Sequence, residues 1–107
     1  MSSLERIDAF LSEVKLEGRS SPSGKHWQDF WRWLGKQVPN QTEKPAMPLI
    51  LAASGASDST KHDRLREQLM FAERHGFALE AIEWLNSLAH DDWNHGSESN
   101  WHQSFFD

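Results

Sequence analysis

His90, Asp91, Asp92 and His95 crowd into one short stretch, with His102 a little further on. Imidazole and carboxylate are ligands for divalent cations, and a cation with an open position can activate water for hydrolysis. The spacing matches no strong metal signature. His90 and His95 are five residues apart, which sends them to different faces of a helix, so only a loop would bring them together. The competing reading is structural: His90 near the carbonyl end of a helix, then a polar turn through Asp91-Asp92 and Asn94-His95-Gly96. The structural reading is preferred, and a metal-dependent hydrolase or metal-binding protein is its rival.

His62-Asp63 resembles the central dyad of metal-dependent phosphohydrolases, but such sites need further His and Asp ligands at separations this chain hardly supplies. The dyad reads better as the exposed first turn of a helix. No glycine-flanked nucleophile elbow and no phosphate-cradling glycine loop is present. The absence of Cys removes thiolate catalysis, Cys-ligated zinc and disulfides. Nothing selects an enzyme class; the expectation is a non-enzymatic protein with no cofactor and no bound metal.

Charge is unevenly placed. The net charge is −5, and Arg74 is the last basic residue; Glu80, Glu83, Asp91, Asp92, Glu98 and Asp107 follow it. Nucleic-acid backbones are bound by cations that displace condensed counterions, so nucleic acid is an unfavoured partner. The same third of the chain holds Trp84, Trp93, Trp101, Phe105 and Phe106. Rigid aromatic side chains within a polar rim are favoured interface anchors, and a negative field speeds encounter with a basic partner. The expected function is therefore protein–protein interaction or regulation, inhibitor-like or as an accessory subunit. The candidate partner-binding residues are Glu80, Glu83, Trp84, Asp91, Asp92, Trp93, Trp101, Phe105 and Phe106. The alternative for the aromatic residues is that they fold back and cap the core.

The elements that must position these residues follow from periodicity. A chain of 107 residues suits one domain. Six Trp and six Phe supply core volume from few positions. Ser2 and Glu5 stand at capping-box spacing ahead of Leu4, Ile7, Leu11 and Val14, which predicts a helix over 3–16, ended by Gly18 and a turn cluster Ser20-Ser21-Pro22-Ser23-Gly24. Trp27, Phe30, Trp31, Leu34 and Val38 share one face of a helix at 24–37, with Trp33 outside that stripe. Residues 39–48 carry three prolines and read as a connection. The apolar run after Pro48 fits either a short helix or a buried strand, and helix is preferred near residues 48–53 because a lone strand has no partner.

A third helix is expected over 60–75, with Leu65, Leu69 and Ala72 as its stripe and Met70 and Phe71 off it, closed by Gly76. A fourth follows at 78–89, and residues 91–107 lose helical periodicity. The expected fold is all-α: a compact bundle of four main helices, a short extra helix near 48–53, and an irregular C-terminal segment. Its core should include Leu11, Trp27, Trp31, Leu34, Leu65, Leu69, Ile82 and Leu85. Ala72, Gly76, Ile82 and Leu85 sit at spacings that resemble a DNA-binding helix-turn-helix. The second helix of such a motif must offer cations or amides to DNA, and this one offers Leu79, Glu80, Glu83 and Trp84, so a helical corner is the preferred reading. The longest apolar run, residues 47–53, is far short of a bilayer span and contains Pro48. With no leader-like pattern at the N-terminus, cytoplasmic residence is expected.

Overall fold

The computed structural model describes residues 2–39, 43–48 and 57–95. In it the Ser2 hydroxyl accepts the Glu5 N–H at 3.2 Å, satisfying one of the amides that a helix start leaves without a partner. Helix α1 runs Ser3–Leu16 and buries Ile7, Phe10 and Val14. Leu11, expected in the core, lies on the flank of that stripe and is only partly buried. Gly18 closes the helix at φ 75, a conformation that a Cβ would strain.

The expected turn cluster is instead a strand. β1, Arg19–Pro22, pairs antiparallel with β2, Trp93–His95. Arg19 lies opposite His95, Ser21 opposite Asn94 and Pro22 opposite Trp93, with an irregularity between Arg19 and Ser21. Ser and Pro favour turns when only local forces act. Here a distant partner satisfies them: Ser20 Oγ donates to the Asn94 carbonyl at 3.3 Å, and the Asn94 amide donates to Ser21 Oγ at 3.3 Å and to the Pro22 carbonyl at 3.1 Å. Both serines are fully buried, so these bonds remove what would otherwise be a desolvation cost.

Helix α2 spans Gly24–Gln37 and buries Trp27, Phe30 and Leu34. Trp31 is only partly buried, because its indole reaches the segment 43–48 rather than the centre of the core. Trp33, off the stripe, stacks on Phe30 with centroids 6.1 Å apart and meets Phe77 edge-on at 5.8 Å.

Helix α3, Asp58–Arg74, starts two residues before its expected position because Ser57 takes the cap, accepting the Thr60 N–H at 3.2 Å. It packs against α1, α2, β1 and the fourth helix, α4, which spans Ala78–Asn86. Being surrounded, it buries Phe71 to 1% exposure although that residue lies off the Leu65–Leu69–Ala72 stripe. The junction to α4 is a Schellman turn: Phe77 N–H donates to the Ala72 carbonyl at 2.9 Å and Gly76 N–H to that of Glu73 at 3.1 Å, with Gly76 at φ 85.

Helix α4 ends at Asn86, short of the expected 89, and a 3-10 turn at His90–Asp92 leads into β2. Ile82, expected in the core, is partly buried beside Leu85, which is fully buried. The protein is thus a compact, mostly helical fold of four helices with one small sheet among the described residues. Residues 49–53 of the expected extra helix lie outside the described residues, and Pro48 belongs to neither helix nor strand.

Candidate interaction surface

The His90–His95 stretch is a structural knot. Asp92 uses both carboxylate oxygens: Oδ2 accepts the Ala89 N–H at 3.1 Å, and Oδ1 lies 3.1 Å from His26 Nε2 on α2. Its carbonyl accepts the Ser23 N–H at 2.7 Å, which fixes the start of α2. Trp93 is 2% exposed, packed near Phe10 at 6.2 Å between centroids, with the Arg19 guanidinium 4.6 Å from its ring centre. The main chain of His95 pairs with Arg19. His90 and Asp91 are exposed. Among the described residues no group of three or more His, Asp or Glu side chains is placed to hold a metal ion.

The expected partner-binding residues separate into two sets. Trp93 belongs to the core, where no partner reaches it. Trp84 is partly buried, 5.1 Å from the Phe30 ring and 6.4 Å from the Trp33 ring, so its aromatic face is spent on joining α4 to α2. Both are drawn inward for the same reason: elements distant in sequence supply rings that meet them. Glu80, Glu83 and Asp91 are exposed. Trp101, Phe105 and Phe106 lie outside the described residues.

Beside the acids the structure reveals an apolar feature that periodicity alone does not mark. Leu79 is 43% exposed on the first turn of α4, next to a groove between α1 and α4. Phe10 and Ile82 line the groove, while Glu13, Glu83 and Arg6 bring charge to it. The helix-turn-helix spacing corresponds to a tight corner whose second helix turns Leu79, Glu80 and Glu83 outward.

A second polar constellation lies on the opposite side of α3. Arg74 and His75 hold the Glu43 carboxylate, His75 Nε2 at 3.1 Å. The Arg74 hydrogen bond, helped by that of His75, keeps Glu43 below the ordinary glutamate range against a smaller opposing effect of desolvation. At the other end of α3, His62 Nε2 donates to the Arg19 carbonyl at 2.7 Å and so ties α3 to β1, while Asp63 beside it is exposed. Comparison with protein-family models, curated proteins and solved structures finds no match for the chain.

Proposed function

We propose that this chain is a non-enzymatic binding protein that docks a basic segment of another protein on the outer face of α4 and in the α1/α4 groove. The observation that carries the reading is the juxtaposition of exposed Leu79 and Glu83 on a groove lined by Phe10 and Ile82, with exposed Glu80 next to Leu79 on the outer face of α4. An apolar side chain of the partner enters the groove, and its lysines or arginines meet the carboxylates. Burial of the apolar anchor supplies most of the affinity. The carboxylates mainly set encounter rate and choice of partner, because rim ion pairs are individually weak. The same field repels nucleic acid.

No helix among the described residues is long and apolar enough to cross a membrane, and a cytoplasmic setting is part of the proposal. Whether the chain acts as an inhibitor or as an accessory subunit depends on what its partner loses on binding.

Site-specific photo-crosslinking in the native cell tests this. A crosslinker at position 79 should give a discrete protein adduct that one at Lys36, on an exposed part of α2, does not. The double variant Glu80→Lys/Glu83→Lys should abolish that adduct. Equal adducts from both positions, or an adduct that survives the charge reversal, would refute the docking face.

A further inference from the structure

Residues 43–48 cross the groove between α2 and α3, and their main-chain oxygens are bound one after another. The Trp31 indole N–H donates to the Pro45 carbonyl at 3.1 Å, Gln68 Nε2 to the Ala46 carbonyl at 2.8 Å, and Arg64 Nη1 to the Met47 carbonyl at 3.1 Å. Pro45 and Pro48 are buried, and the Glu43 carboxylate, two residues before the first proline, is clasped by Arg74 and His75. Gln68 is itself fully buried and held in place by the Trp27 indole, which donates to its Oε1 at 3.0 Å. A second-layer bond of this kind fixes the donor before any ligand arrives.

This is how a groove reads a proline-containing peptide. Each proline fixes its own φ and biases the residue before it, here Lys44 and Met47, toward an extended backbone, so little entropy is lost on capture. Side-chain donors then take main-chain oxygens that any peptide carries, while apolar slots for the prolines and a cationic clasp for the acid give selectivity. Among the described residues every hydrogen bond to this segment comes from a side chain. Its departure would break no helix and no strand.

We infer that the α2/α3 groove is a recognition site for a partner-protein segment of the pattern acid-x-Pro-x-x-Pro, occupied here in cis by residues 43–48. The cis occupant underfills it. An open groove bounded by Ala46, Met70 and Phe71 runs along the α3 side of the segment, and a second, bounded by Trp31, Gly35 and Val38, along the α2 side. A ligand with a larger apolar residue in place of Ala46 therefore gains contact with Met70 and Phe71 that the cis segment forgoes. That gain is needed, because a tethered segment competes at an effective concentration on the order of millimolar.

The test uses the full chain and labelled peptides carrying the sequence of residues 43–48, as such, with A46L, and with P45A/P48A. Fluorescence anisotropy should show saturable binding of the A46L peptide, tighter than that of the unsubstituted one. Loss of both prolines should weaken binding about tenfold. The Glu43→Gln chain, whose cis segment has a looser clasp, should bind the A46L peptide more tightly than the wild type. The indole N–H resonance of Trp31 should move on titration, reporting that the peptide sits in this groove. No saturable binding to either chain while circular dichroism shows both folded would overturn the inference. So would binding indifferent to both prolines, or binding that leaves the Trp31 resonance in place.

Discussion

The grooves on the two sides of α3 and α4 are built from amphipathic helices of the same kind and are finished in opposite ways. Between α2 and α3 the donors of Trp31, Gln68 and Arg64 are matched to carbonyls, and Arg74 and His75 to a carboxylate. Between α1 and α4, Leu79 stays exposed and neither Glu80 nor Glu83 has an ion-pair partner among the described residues. Matched polar groups hold a fold together; unmatched like charges repel and slightly weaken it. The first groove, closed by the chain's own segment, should therefore answer to mutation in stability as well as in peptide binding, and the second in binding alone.

Trp27→Ala should show the largest effect, about 3–5 kcal/mol in urea unfolding, because it opens a cavity under α2 and leaves Gln68 Oε1 without its donor. A change below about 1 kcal/mol would mean that the Trp27–Gln68–Ala46 relay carries no load. Gln68→Ala should come next, at about 1–3 kcal/mol, since the Trp27 N–H and the Ala46 carbonyl both lose their partner. The Glu80→Lys/Glu83→Lys chain should unfold within about 0.5 kcal/mol of the wild type, which separates a lost interface from a lost fold. A large destabilisation there would erase the contrast between the two grooves.

The smallest effect is expected at Glu43, an exposed carboxylate whose pair with Arg74 is screened by solvent. Its folded pKa is depressed, so its contribution is fully present above the unfolded glutamate value of about 4.3 and is lost as pH falls through the lower folded value. The stability difference between wild type and Glu43→Gln should accordingly be constant at neutral pH and shrink in acid. A difference that grows as pH falls would contradict the clasp.

What the sequence makes legible is whatever local forces decide. The limits of α1 and α2 follow from Ser2, Gly18, the turn residues and apolar spacing, and the structure has them at Ser3–Leu16 and Gly24–Gln37. The exposure of Glu80, Glu83 and Asp91 follows as directly from their polarity. The strand at Ser20 and Ser21 does not, because nothing within ten residues shows that Asn94 will satisfy their hydroxyls. Trp33 and Trp84 fail for a related reason: each lies at the edge of its own helix's stripe, and only the meeting of α2 with α4 makes the two edges one aromatic cluster. Trp31 and Gln68 were equally hidden, since a polar bond to residues 43–48 leaves no periodic trace.

The pairing of β1 with β2 also sets an order of events as the chain folds. Ser20 bonds to a residue 74 positions along the chain, whereas the α3–α4 corner is closed by bonds spanning only a few residues. Loops of that length close late, because their entropy must be met before any contact rewards it. Since β1 precedes β2 along the chain, Ser20 and Ser21 cannot find their Asn94 partner, nor Phe10 its Trp93 neighbour, until residues 93–95 have been made. The helical corner is the expected nucleus, and the two short strands the latch expected to shut on it. Under native conditions that latch should also be the first part to open, which hydrogen exchange would register as lower protection at Ser21 and Asn94 than at Leu69.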